Sequence, residues 1–292
     1  MICSIIIPTF NNFHYLKLTI DSIKKNSNYN HEIIVHVNEG LDDTLTFLKK
    51  NNIVHTFSPK NLGLCSATNI ASKKATTDFI LYSHDDMYYC PGWDLALEKE
   101  VNNLQHNLYY FSSTMIEQNS GHIAFDCGST YENFNENKLL ENYNKLNYYD
   151  YQGSHWAPHL IHRTLWDQIN GFSQEFDPGI GSDPDLNMKL WKAGVRIFKG
   201  LNKFKVYHFG SISLRKKPEL KVNKGTNTFL KKWGITPVFF TKHYLKGGLF
   251  SDNTIRTMPY SGPLKEPKIN LSYVMGKIIC GLKFLKLKIL KK

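Results

Sequence analysis

The sequence predicts an α/β fold in which a mostly parallel sheet carries helices on both faces and is followed by a C-terminal helical appendage. Three observations predict it. Short apolar runs alternate with segments that carry one apolar face at helical spacing over the first hundred residues. Three polar turns each follow one of those runs. With 292 residues, 41% of them hydrophobic and 13% aromatic, the chain can also bury a large core.

The elements follow in order. Ile2 to Ile7 reads as the first strand, and Pro8-Thr9-Phe10-Asn11-Asn12 breaks it and caps a helix whose apolar face is Leu16, Ile20 and Ile23. Glu32 to Val37 is the second strand. The polar turn Asn38-Glu39-Gly40-Leu41-Asp42-Asp43 leads into a helix over Thr44 to Lys50, and Ile53 to Phe57 is the third strand. Pro59 to Gly63 ends that strand, and a helix runs from Cys65 to Lys74. The fourth strand, Asp78 to Ser83, then delivers His84, Asp85 and Asp86. Ligands of open α/β sheets bind outside the carboxyl ends of the strands, so the turns at Thr9 to Asn12, Asn38 to Asp43 and His84 to Asp86 should line one crevice. Two adjacent carboxylates at such a place suit a metal and a diphosphate; an acidic turn or helix cap is the plainer reading.

Downstream, Gly179-Ile180-Gly181-Ser182-Asp183-Pro184-Asp185 opens a helix that continues to Gly194, with Asp183 and Asp185 in the first turn, where the helix dipole favours negative charge. Val206-Tyr207-His208 is a short strand ending in a histidine. Arg215, Lys216 and Lys217 follow on a loop that could fold over a diphosphate or remain a solvated basic loop.

Five cysteines without a CxxC pair or metal-ligand spacing argue against a disulfide framework and for a reducing cytosol. The N-terminus reads as a strand, not a signal peptide, and no run reaches the roughly 18 apolar residues of a spanning helix. The net charge of +11 is concentrated at the far end, where residues 268 to 292 hold seven lysines and no Asp or Glu. There Leu271, Val274, Met275, Ile278, Leu282, Leu285 and Ile289 recur at helical steps, with Lys277, Lys283, Lys288 and Lys291 mainly on the other side. This basic amphipathic helix suits adsorption to an anionic membrane surface, against the alternative of a terminal helix packed on the core. Nucleic acid is excluded as a partner, since the basic residues are not interleaved with an aromatic platform.

The motifs from Ile5 to about His208 resemble family 2 of the nucleotide-sugar glycosyltransferases, which share the GT-A (Rossmann-like) fold. The resemblance rests on Ile5-Ile6-Ile7-Pro8-Thr9-Phe10-Asn11, Glu32-Ile33-Ile34-Val35, Asn61-Leu62-Gly63 before a helix carrying Asn69, the carboxylates after the fourth strand, and Pro91-Gly92-Trp93. It implies a donor site for a nucleoside-diphosphate sugar formed by Pro8, Thr9, Asn11, Asn38, Glu39, Asn61, Gly63, Asn69, His84 and Asp85. It also implies a divalent cation, Mn²⁺ or Mg²⁺, on Asp86 and His208, and Asp183 as the general base. Three positions depart from the family pattern: Val37 where an Asp commonly reads the base, His84 in the DxD-like triplet, and Ser182 where a Glu is usual.

An ionised Asp183 accepting the acceptor's proton while the metal stabilises the leaving oxygen implies inversion by a single displacement. The segment Tyr131 to Gln152, with Tyr148, Tyr149 and the following Trp156, reads as acceptor territory or a domain seam, and Asp185 either contacts the acceptor or anchors its helix. The expected organisation is a catalytic domain over 1–225 (1–115 for the donor, 116–225 for acceptor and catalysis), a connecting appendage over 226–267 and the basic helix over 268–292. The expected function is cell-surface glycan or glycolipid synthesis from a glycan or lipid-linked acceptor, in the cytoplasm at the inner face of a membrane. The rivals are a catalytically inactive sugar-nucleotide binder and a sugar-1-phosphate nucleotidyltransferase, the latter disfavoured because Pro8 to Phe13 has no Gly-rich phosphate loop.

Overall fold

The computed structural model describes residues 1–210, 225–251 and 254–289. The expected basic loop with Arg215, Lys216 and Lys217, and Leu290 and Lys291 of the tail, lie outside the described residues.

The first half is built as the alternating pattern requires: β1 (Ser4–Phe10), α1 (Phe13–Asn26), β2 (Glu32–Asn38), α2 (Thr44–Lys50), β3 (Val54–Ser58), α3 (Leu64–Ser72) and β4 (Phe79–Tyr82). β1 is buried from Ser4 through Thr9. Since successive strand residues face opposite sides, a strand buried at every position must be covered on both faces, which is why it reads as an unbroken apolar run. α3 covers one face over β1 and β2.

The chain then adds β5 (Met87–Tyr89), α4 (Trp93–Asn102), β6 (Tyr109–Glu117), β7 (Ile123–Ala124), α5 (Glu136–Asn142), β8 (Tyr151–Gln152), β9 (His159–His162), α6 (Arg163–Gln168), α7 (Ser182–Lys192) and β10 (Ile197–His208). The sheet order is β3-β2-β1-β4-β9-β6-β10-β5, with β7 on β6 and β8 on β10. From β3 to β4 all pairs are parallel; beyond β4 the sheet becomes mixed, because β9 and β5 run antiparallel to their neighbours.

Two features of this order place a site. The chain winds outward from β1 to β3 and returns on the other side of β1 as β4, so the connections diverge between β1 and β4 and leave a crevice there. At the other end, β10 pairs in parallel with β6, Tyr207 opposite Ile116, and antiparallel with β5, His208 opposite Met87. The next residues along, Glu117 and Asp86, are thereby brought to either side of His208.

After β10 come α8 (Gly225–Trp233), α9 (Pro237–Phe240), a π-helical turn at Thr241–Leu245, a small hairpin of β11 (Leu249–Ser251) and β12 (Thr254–Arg256), and the long α10 (Leu271–Ile289). These elements pack back on the sheet domain. Gln152 N donates to Met258 O and Leu264 N to Arg196 O, both at 2.8 Å.

Candidate active site

A cavity of about 580 Å³ opens over the crevice between β1 and β4. Pro8 and Thr9 reach it from the end of β1, Asn38 from β2, and His84, Asp85 and Asp86 from the turn after β4. Glu117 comes from β6, Trp156 from the segment before β9, Asp183 from the first turn of α7, and His208 from the end of β10. Asp86, Asp183 and His208, far apart along the chain, thus line one pocket.

One wall is a cluster of imidazoles and carboxylates. His84, Asp86 and His208 each offer one ligand atom, all within 4.8 Å of one another. His208 Nδ1 donates to Glu117 Oε1 at 2.6 Å, while its Nε2 faces Asp86 Oδ1 at 3.5 Å, long for a hydrogen bond. Burial disfavours a charged His208, but the neighbouring Asp86 and Glu117 outweigh it and raise the imidazole to about 10. Burial would raise Glu117; its hydrogen bond from His208 wins and lowers it. His84 is pushed by burial down to about 4 despite Asp86, so it is a neutral imidazole with a lone pair to give. Two carboxylates and two imidazoles crowded in this way favour a bound positive charge. The donor set suits Mn²⁺, and the Glu117 bond orients the His208 ring so that its Nε2 points at Asp86.

Asp183 lines the same cavity. Its Oδ1 is buried without a hydrogen-bond partner among the described residues, and burial alone raises its pKa to about 7. A carboxylate left unpaired and lifted towards neutrality is suited to take up a proton. Ser182, in the place of the usual acid, donates to Gly179 O at 2.5 Å and so closes the turn.

Other expected site residues have different surroundings. Asp85 lines the cavity, but its carboxylate accepts from Thr9 Oγ1 at 2.6 Å, tying β4 to β1; burial and Asp86 hold its pKa above the usual carboxylate range. Asn38 and Asn61 also line it, Asn38 Oδ1 accepting from Leu62 N at 2.9 Å. Asn11 and Glu39 bond each other at 3.0 Å beside the cavity rather than within its lining. Gly63 and Asn69 do not line the cavity. Gly63 has φ +88°, and a Cβ there would collide with Asp177, whose carboxylate accepts from Cys65 N at 2.8 Å and so occupies the N-terminus of α3. Asn69 bonds both the N–H and the carbonyl of Phe172, at 2.9 and 2.7 Å. These two residues fasten α3 to the loop that carries α7.

Asp185 likewise lies outside the cavity lining. It is fully buried and accepts from Trp233 Nε1 at 2.7 Å, with Lys232 Nζ at 3.0 Å, because one residue pair along the first turn of a helix points Asp183 and Asp185 to different sides. Tyr148 and Tyr149 are turned aside too, their hydroxyls bonded to Thr257 at 2.7 and 2.8 Å. Trp156 alone of the expected acceptor aromatics faces the cavity. Glu117 was not foreseen; the only signal in the sequence is an acid closing the apolar run Tyr109–Glu117.

The sequence profile described as glycosyl transferase family 2 matches residues 4–160. An uncharacterized glycosyltransferase of Rickettsia bellii is 28% identical over 120 residues, covering 39% of this chain and 17% of that protein. One of Rickettsia typhi is 33% identical over 131 residues, covering 42% of this chain and 39% of the relative. The chain therefore spans well under half the length of these relatives. Among solved structures, S. aureus TarS (fragment) is matched with a TM-score of 0.53 at 16% identity, over 70% of this chain and 59% of that one. GalNAc-T7, crystallised with UDP, GalNAc and Mn²⁺, is matched with a TM-score of 0.54 at 15% identity, over 70% and 43%. At such identities the likeness is one of fold, a central mixed sheet flanked by helices.

Proposed function

Because this chain belongs to glycosyl transferase family 2, we propose that it transfers a sugar from a nucleoside-diphosphate sugar to a hydroxyl acceptor, with inversion and with a divalent cation. The observation that carries the proposal is the convergence of Asp86, Asp183 and His208 on one cavity beside the β1/β4 crevice. His84, Asp86 and His208 would hold the cation, with Glu117 orienting His208. When bound, such an ion supplies charge stabilisation for the departing diphosphate oxygen.

The chain's own residues account for the remaining steps. Asp183 Oδ1, without a hydrogen-bond partner among the described residues, takes the proton of the acceptor hydroxyl as that oxygen attacks the anomeric carbon. With Asp183 as the base and the cation on the departing diphosphate, attack from the side opposite the leaving group inverts the anomeric configuration without a covalent intermediate. Trp156 offers an aromatic face for the acceptor ring, and enclosure of both substrates in one cavity lowers the entropic barrier. Uridine diphosphate is the nucleotide to try first, since GalNAc-T7 was crystallised with UDP. We take the acceptor to be a glycan or lipid-linked glycan.

The test is a donor screen with and without Mn²⁺, followed by NMR of the product's anomeric centre. Transfer that requires the cation and yields the inverted anomer is expected. Retention of configuration would overturn the role of Asp183, and full turnover by Asp86→Ala would overturn the cation site.

A further inference from the structure

We infer that α10 is a two-sided mount, docked on the protein by one face and seated by the opposite face in the headgroup boundary of an anionic lipid bilayer. The inference is independent of the transferase chemistry.

At 100° per residue, Tyr273, Gly276, Cys280, Phe284 and Leu287 fall on one side of the helix. That side is the docked one. Tyr273 packs on Phe239 with ring centroids 5.1 Å apart, and Cys280 is buried beside Thr236. At Gly276 an added Cβ would come within 2.8 Å of the Phe239 ring, so the close approach requires glycine. Phe284 and Leu287 complete the contact with the core.

The stripe that the sequence marks as apolar is the other side. Leu271, Val274, Met275, Ile278, Leu282, Leu285 and Ile289 are all exposed, from 42% at Val274 to 78% at Leu271. Their mean direction lies about 180° from the docked face. The packed-terminal-helix reading is thus half right: the helix does pack on the core, but through residues outside the stripe. A continuous apolar strip along a helix about 28 Å long is far more than scattered surface leucines and marks an interaction surface.

The charge around it selects the occupant. The lysines lie between the docked face and the stripe, Lys283 and Lys286 on one flank and Lys277 and Lys288 on the other, with Lys277 Nζ 6.0 Å from the Phe239 ring and Lys288 Nζ 4.9 Å from the Phe284 ring. Residues 268–292 contain no acid to pair with them. A second copy of the helix, laid stripe to stripe, would set lysine rows against lysine rows. An anionic leaflet instead accepts the apolar strip in its acyl boundary and the snorkelling ammonium groups among its phosphates. Among the described residues no helix is long and apolar enough to cross a membrane, so the geometry is that of a helix lying in the interface.

The experiment is co-sedimentation of the full chain with vesicles of phosphatidylcholine alone or mixed with phosphatidylglycerol. Two variants accompany it: Ile278→Glu with Leu282→Glu, and Lys283→Gln with Lys286→Gln. Both apolar positions are at least half exposed, so folding should survive, and thermal melting checks it. Wild type is expected on the mixed vesicles, the Glu pair about tenfold weaker or more, and the Gln pair weaker by about fivefold per lysine with a shallower salt dependence. Wild type remaining in solution with both vesicles, or a Glu pair that binds like wild type, would overturn the inference. So would a wild-type dimer in light scattering that the Glu pair disperses while vesicles go unbound. Turnover on a soluble acceptor is read separately, so loss of vesicle binding and loss of catalysis cannot be confused.

Discussion

Replacing Glu117 removes a hydrogen bond that orients His208 from outside the proposed cation shell. In the wild type the Nδ1–H to Oε1 bond is 2.6 Å, short and charge-assisted, and the second carboxylate oxygen is held by the Ser120 hydroxyl. Carboxylates in this position on metal-binding histidines are worth about 10- to 100-fold in metal affinity, or about 1.4–2.7 kcal/mol. Glu117→Gln keeps an acceptor oxygen and loses the charge, so it should fall near the lower figure. Glu117→Ala leaves Nδ1 buried without an acceptor and frees the ring to turn, so it should fall near the higher one.

Proton competition must be included, because Glu117 also favours the imidazolium. Burial would lower His208, but Asp86 and Glu117 outweigh it and hold the imidazole at about 10, so a cation must displace its proton at neutral pH, and wild-type affinity should climb as pH rises. Losing Glu117 lowers that barrier as well. A divalent ion nonetheless gains more from the carboxylate charge than a proton does, and the variants should show weaker affinity together with a flatter pH dependence. The assay is calorimetric titration with Mn²⁺ at about pH 7 and about pH 9, with thermal melting of each apo protein as the control for folding. Unchanged Mn²⁺ affinity in both variants, while His208→Ala loses it, would refute the orienting role.

Other outcomes follow from the same geometry. Asp183→Asn should bind the donor nucleotide normally yet lose about 10²–10⁴ in kcat, and wild-type kcat/KM should fall as pH drops through about 7, where burial places the Asp183 pKa. The same shift has a sign for stability: a folded pKa raised above the unfolded value means stability present below about pH 4 is lost as pH rises to about 7. Asp183→Asn should therefore raise Tm at pH 8 more than at pH 5; equal shifts would count against the buried, unpaired carboxylate. Asp185→Ala removes the acceptor of Trp233 and Lys232 and should cost about 3 kcal/mol in denaturant unfolding, a loss that Asp183→Asn does not share. Gly63→Ala should destabilise by at least about 1 kcal/mol, since φ +88° is strained for alanine and its Cβ meets Asp177; wild-type melting would contradict the account of the α3 terminus.

How far the chain could be read without coordinates depended on the range of the signal. β1 to β4 and the helices between them were legible because burial on both faces makes each strand a local apolar run, and the polar turns after them mark the crevice. Asp86, Asp183 and His208 were legible because each sits at the end of such a run or at a helix start. Gly63, Asn69 and Asp185 carry motif positions but not the expected surroundings, because their partners Asp177, Phe172 and Trp233 stand dozens to more than a hundred residues away.

By itself, then, the sequence determined the strand–helix alternation, the carboxylates and histidines at the ends of its elements, and the apolar periodicity of the tail, because each is set by neighbours within a turn or a strand. Only the tertiary structure decided that Glu117 stands against His208, since that follows from the register of β10 on β6 and β5. It alone decided, too, which apolar face of α10 is spent on Phe239 and Thr236 and which is left over. Periodicity states that a helix has a greasy side; only packing states which side already has a partner.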